Sequence, residues 1–145
     1  MEAIRVKRIK ENAIMPTYGS AEAAGADLYA CLDAPVLIEP GKSVFIPTGL
    51  SMEIPTGYAG LIYARSGLAC KMGLAPANKV GVVDSDYRGE FMIVLHNHGS
   101  VPQTIEHGER IAQLVITPVF TPGFVEVASL SDTVRSGGGF GSTGK

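Results

Sequence analysis

No stretch of this chain runs far without a glycine or a proline. Short apolar runs are cut at Met15-Pro16-Thr17-Tyr18-Gly19, at Pro40-Gly41, at Pro47, at Pro55-Thr56-Gly57 and at His107-Gly108-Glu109. Proline removes a backbone donor and fixes φ, while glycine permits left-handed turns, so long helices do not survive this punctuation. Between the cuts the residues alternate. Ile4 to Ile9 and Leu50 to Ile54 (Leu-Ser-Met-Glu-Ile) repeat with period two, the mark of a strand with one buried face. Val36 to Ile38, Ser43 to Ile46, Tyr58 to Ala64, Thr104 to Glu106, Ile111 to Phe120 and Phe124 to Val127 also read as strands. Arg65 to Leu74 is the one plausible helix, with Ser66 as its expected N-cap. About ten short strands and at most one helix predict an all-β sandwich or barrel. The 145 residues suggest one domain.

Composition narrows the function classes. With 46% hydrophobic and 18% charged residues, the chain has enough apolar surface for a core without metals or disulfides. A formal net charge of -2 argues against electrostatic binding of nucleic acid, so a phosphate ligand needs a local cluster of donors. The two cysteines, Cys31 and Cys70, lack metal spacing and read as buried small hydrophobes in a reducing compartment. His96, His98 and His107 read as loop residues. The charged start, Met1 to Lys10, has no apolar core of a signal peptide, and no run approaches the ~20 residues of a membrane span, so the expected location is cytoplasmic.

Val80 to Glu90 carries more chemistry than a turn needs. An apolar run ends in Asp84 and Asp86, Tyr87 and Arg88 follow, and a new apolar run starts at Phe91. Run, turn, run predicts a β-hairpin. Turn propensity accounts for the acids, Ser85 and Gly89, but not for an aromatic and a cation beside two carboxylates. Arg65-Ser66-Gly67 at the helix start suits an anion, or is an ordinary cap with a surface arginine. Asp27 reads as a turn residue or a ligand, and Gln113 as a solvent-facing strand residue or a donor. The segment Gly138 to Lys145 matches GxGxxG and part of a Walker A loop, but those patterns need a strand before and a helix after, and no such context is visible. Its glycines and hydroxyls still suit phosphate, and Phe140 in such a tail calls for a packing partner.

Taken together, five stretches resemble the ordered motifs of the trimeric deoxyuridine triphosphate nucleotidohydrolases (dUTPases). They are Ala24-Gly25-Ala26-Asp27-Leu28, Ala64-Arg65-Ser66-Gly67-Leu68-Ala69, Gly81 to Gly89, Gly108-Glu109-Arg110-Ile111-Ala112-Gln113-Leu114, and Arg135 to Gly144. Two small departures are Ala26, where an aromatic is common, and Ser136, where glycine is usual. The resemblance implies a jelly-roll-like β fold with one short helix, over residues 1–134, and a flexible C-terminal arm, 135–145, that closes a neighbouring subunit's site. It implies Mg²⁺-dependent cleavage of dUTP between the α and β phosphates, giving dUMP and pyrophosphate. That reaction keeps uracil out of DNA and supplies dUMP for thymidylate synthesis.

By the same resemblance, Asp84 is the catalytic base for the attacking water, and Tyr87 packs under the deoxyribose and excludes a 2′-hydroxyl. Asn78 and the main chain of Val82, Val83 and Asp84 bind uracil, with Met92 lining the pocket. Arg65, Ser66, Gly67 and Gln113 hold the phosphates, and Asp27 bonds the waters of Mg²⁺ rather than the ion. Arg135 pairs with the γ-phosphate, Phe140 stacks on uracil, and Gly141, Ser142 and Thr143 wrap the γ-phosphate. Asp86 is a turn or structural acid. The implied assembly is a homotrimer, with dUTP as ligand and neither nucleic acid nor membrane as partner. The competing expectations are a dCTP deaminase-related enzyme, distinguished by ammonia release, and a non-catalytic nucleotide-binding trimer.

Overall fold

A computed structural model describes residues 3–139. The elements follow in order as β1 (Arg5–Arg8), β2 (Thr17–Tyr18), β3 (Ala26–Tyr29), β4 (Val36–Ile38), β5 (Ser43–Pro47), β6 (Leu50–Glu53), β7 (Tyr58–Tyr63), α1 (Ser66–Met72), β8 (Leu74–Pro76), β9 (Gly81–Val83), β10 (Met92–Asn97), β11 (Gln103–Ile105) and β12 (Arg110–Pro118). The largest sheet has the order β2-β3-β12-β7-β9, and the second has β5-β10-β8. Two small ladders, β1-β6 and β11-β4, complete the β framework. All pairings are antiparallel.

Alternation places one face of each strand inside. On β10, Ile93, Leu95 and Asn97 are buried while Met92 is exposed. On β6, Leu50 and Met52 are buried. β12 breaks the rule with Ile111 and Ala112 both buried, and there a register shift between Arg110 and Ala112 inserts an extra residue. The core gathers Leu28, Ile46, Leu50, Phe91, Leu95 and Ile111, each almost fully out of water. Leu95→Ala is expected to lower stability by about 2–5 kcal/mol, read from a urea midpoint, because a closed core retains the cavity. A loss below roughly 1 kcal/mol would show that the core collapses around the missing atoms.

Thr48 and Asn97 are polar side chains fully out of water. Asn97 Nδ2 donates to Ile38 O and Val101 O at 2.9 and 2.8 Å, and its Oδ1 accepts from Gly99 N at 2.9 Å. These bonds replace the water that burial removes. They also seat the turn that packs on the end of α1. A Cβ at Gly73, the left-handed residue that ends the helix, would stand 2.8 Å from Gly99 N.

Several expectations need correction. Val80–Glu90 does not join a two-stranded hairpin: β9 pairs with β7, and β10 pairs with β5 and β8. Ser66 does not cap α1; Arg65 occupies the cap position, with no side-chain cap bond. Phe124 to Val127 forms no strand, and Phe124 and Val125 are exposed. Ala26 to Tyr29 forms a strand although its small residues lack the β-branched signature. His96 lies within β10, with Ser43 Oγ 3.0 Å from its Nδ1, and is not a loop residue. Cys70 is exposed, whereas Cys31 is buried and its thiol pKa is pushed up by that burial. No helix among the described residues is long and apolar enough to cross a membrane.

Candidate active site

The large sheet carries two clusters of polar groups. The first lies at its β9 edge. A cavity of about 210 Å³ is lined by Asn78, Val82, Val83, Asp84, Tyr87 and Met92, together with Ile62, Gly81 and Glu90. Of the residues expected at the base, the sugar and the attacking water, Asn78, Val82, Val83, Asp84, Tyr87 and Met92 meet in one place. The reason is the correction above. β9 ends its sheet, so the side of the strand facing away from β7 keeps main-chain donors and acceptors unpaired. Had β9 and β10 closed a hairpin, that edge would be filled.

The loop after β9 is braced by its own backbone. Tyr87 N donates to Asp84 O at 3.2 Å, and Arg88 Nη1 donates to Ser85 O at 2.7 Å and to Tyr87 O at 2.9 Å. It is also tied to the strand start at Thr48–Ser51. Gly49 N donates to Glu90 Oε1, Ser51 Oγ to Arg88 O and Thr48 Oγ1 to Phe91 O, each at 2.7 Å. Glu90 was not expected at the site. A carboxylate beside a turn reads as a solvated charge, and only the fold shows it gripping a backbone amide. Before β9, Lys79 adopts a left-handed φ of 65°, and the tight turn there presents Asn78 to the cavity.

The second cluster forms where β3, β12 and the end of β7 lie side by side. Gln113 is the register partner of both Asp27 and Tyr63, and Arg65 follows two residues after Tyr63. Paired residues share a sheet face, so the pairing itself brings Asp27 and Gln113 together. With Arg65, Ser66 and Gly67 they line a cavity of about 160 Å³. Arg65 Nε donates to Asp27 Oδ1 at 2.7 Å, and Arg110 Nη1 reaches Oδ2 at 3.4 Å. Gln113 Nε2 donates to Ala64 O at 2.8 Å, which leaves its second amide hydrogen free for a ligand.

Asp27 is thus a buried strand carboxylate between two cations, not a turn residue. Arg110 has no assigned role in the sequence reading, because a cation opening a strand looks like an ordinary solvated end. It borders a neighbouring cavity of about 410 Å³ with Arg65, Lys71 and Glu109. Basic residues outnumber acids around this second cluster, as an anionic ligand requires.

The two clusters share no lining residue. Arg135 lines neither cavity; it is exposed, and its Nε donates to Gly138 O at 2.8 Å. Phe140, Gly141, Ser142 and Thr143 lie outside the described residues. A further cavity, about 470 Å³, contains none of the expected site residues and is lined mainly by apolar side chains, among them Ile4, Val6, Met15, Met52 and Leu114.

Comparison with known proteins assigns this geometry a lineage. The dUTPase family model matches residues 11–144. The deoxyuridine 5'-triphosphate nucleotidohydrolase of Desulfitobacterium hafniense is 50% identical over 149 aligned residues, covering 99% of each chain. That of Syntrophotalea carbinolica is 47% identical, over 97% of this chain and 96% of its own. Among solved structures, the Staphylococcus bacteriophage 80alpha dUTPase with dUpNHpp superimposes with a TM-score of 0.91 at 31% identity, covering 100% of both chains. A variant dUTPase from phage phi11 of S. aureus, whose structure details the coordination of a structural Mg(II) ion, superimposes with a TM-score of 0.80 at 27% identity, over 88% of this chain and 98% of its own.

Proposed function

This chain belongs to the dUTPase family, and from that premise we propose how its residues divide the work. The activity is that of a dUTP diphosphatase, hydrolysis of dUTP to dUMP and pyrophosphate. One observation supports the division most directly: Asn78, Asp84, Tyr87 and Met92 surround one cavity beside an open strand edge.

Uracil would lie along the free edge of β9, with its polar edge meeting the main chain of Val82 to Asp84 and the amide of Asn78. A rigid backbone leaves no room for a 5-methyl group, so thymine would be rejected by contact. Tyr87 would wall the deoxyribose. Asp84, exposed at the start of the braced loop, would take a proton from the attacking water. Arg65, Ser66, Gly67 and Gln113 would hold the phosphate chain through a guanidinium, main-chain N–H groups and an amide.

Residues 3–139 contain no group of three or more His, Cys, Asp or Glu side chains able to hold a metal ion. The second cluster, with one carboxylate beside two arginines, would suit Mg²⁺ held by the substrate's phosphates. Asp27 has two oxygens with about four acceptor sites, so it can keep both arginines and still accept from the ion's waters. When bound, Mg²⁺ neutralises charge on the phosphate chain and on the departing pyrophosphate.

In the family reading, the base cavity of one chain is completed by the phosphate cluster of a second and the arm, 135–145, of a third. The separation of the two clusters within one chain supports this. So does the run of exposed apolar side chains after β12, which includes Phe120, Phe124, Val125 and Leu130, together with the largely apolar cavity of about 470 Å³. A homotrimer would cover such surfaces.

The test is pyrophosphate release from each deoxynucleoside triphosphate with Mg²⁺, alongside a sedimentation mass. Turnover selective for dUTP, by a species of three 15.2 kDa chains, is the expected result. Ammonia release from dCTP would instead place the chain with the deaminases. An active monomer would end the shared-site reading.

A further inference from the structure

We propose that Gly89 is a specificity-determining positioning residue: its missing side chain lets the Tyr87 ring lie down against the loop backbone, and this posture sets the wall against a 2′-hydroxyl. The proposal rests on the role given to Tyr87 above. It concerns a residue two positions away that does not line the cavity.

The ring folds back over its own loop. Tyr87 Oη donates to Glu90 O at 3.0 Å, and the ring sits tilted at 45° to Phe91, with centroids 6.2 Å apart. Between those two anchors it crosses Gly89. A Cβ placed at Gly89 would overlap Tyr87 Oη, stand 2.5 Å from Cζ and stand 2.9 Å from Cε2. Carbon atoms that are not bonded do not approach so closely, so one methyl group at position 89 forces something to move. Backbone conformation is not the reason for glycine here. The left-handed glycines among the described residues are Gly41, Gly49, Gly57, Gly73 and Gly108, and Gly89 is not one of them. Space alone demands it.

The ring is the part that yields. The backbone around Gly89 is fastened on both sides to Thr48–Ser51: Ser51 Oγ holds Arg88 O at 2.7 Å, Gly49 N holds the Glu90 carboxylate at 2.7 Å, and Phe91 N donates to Leu50 O at 2.8 Å. The Tyr87 ring has one bond and is 44% exposed. Turning about its own side-chain torsions, it leaves Gly89, loses Glu90 O and no longer presents the same face to the cavity it shares with Asn78, Asp84 and Met92. Discrimination of one oxygen atom depends on a wall that stays in place, because relaxing a steric pocket by a small displacement readily admits the larger ligand.

The experiment is a double-mutant cycle, with kcat/KM for dUTP and for UTP measured on full-length wild type, Gly89→Ala, Tyr87→Ala and the double variant. Gly89→Ala is expected to lower the dUTP-to-UTP ratio by roughly tenfold, chiefly through a higher KM for dUTP. In the Tyr87→Ala background, where no ring remains to be displaced, the same change is expected to alter the ratio by less than about twofold. An unchanged ratio in Gly89→Ala, or an equal drop in both backgrounds, overturns the proposal. If Gly89→Ala alone does not fold, the double variant must fold, since it lacks the colliding ring; a double variant that also fails overturns the proposal. A wild type without dUTP turnover removes the functional reading and this inference together, whereas an active wild type with an unaltered Gly89→Ala ratio removes this inference alone.

Discussion

Asp84→Asn is expected to bind dUTP within a few-fold of wild type and to lose turnover by on the order of 10³-fold. The substitution keeps the shape and removes the proton acceptor. Asp84 is exposed, so the change leaves no cavity and strands no buried partner. Its carbonyl, which accepts from Tyr87 N at 3.2 Å, belongs to the backbone and is unaffected. The loop that carries Asn78, Tyr87 and Met92 should therefore persist. Single-turnover rates with dUTP and a separate binding measurement with a non-hydrolysable dUTP analogue distinguish chemistry from affinity. Turnover close to wild type would remove Asp84 from the reaction.

Deleting 137–145 is expected to cost at least about a hundredfold in kcat/KM while leaving fold and assembly intact. Among the described residues the last strand ends at Pro118, and the buried core contains no residue beyond Leu114. What goes is the segment that would bring Phe140 to the base and Gly141, Ser142 and Thr143 to the γ-phosphate, closing the site against bulk water. Thermal midpoint, sedimentation mass and kinetics are measured on the same preparation. A truncated chain that unfolds would make the arm structural, and one with full activity would make it dispensable.

Much of the candidate site was legible in the sequence because its chemical groups come in local runs. Asp84 and Tyr87 are three residues apart, and Arg65, Ser66 and Gly67 are consecutive. Neighbours in a tight turn must be neighbours in space. Asp27 was harder to place. Its strand, Ala26–Tyr29, lacks the β-branched residues that announce a strand, and its partners Arg65 and Arg110 stand 38 and 83 positions away. Arg110 and Glu90 were missed because each does its work through a contact that only folding creates. The supposed hairpin erred for a related reason. An apolar run on each side of a polar turn fits strands that pair and strands that part equally well.

Sequence alone determined the kind of fold and the chemical groups available to it. Glycine and proline limit the length of every element, alternation assigns its inner face, and both act within a few residues. Tertiary structure decided the pairing. It sent β9 to β7 and β10 to β5, and so left one edge of β9 open beside the cavity that Asn78, Asp84 and Tyr87 line. It also set the Tyr87 ring down on Gly89, a glycine that reads as turn punctuation in the sequence. Strand pairing and side-chain contact depend on which distant segments exclude water together, and no window along the chain contains that information.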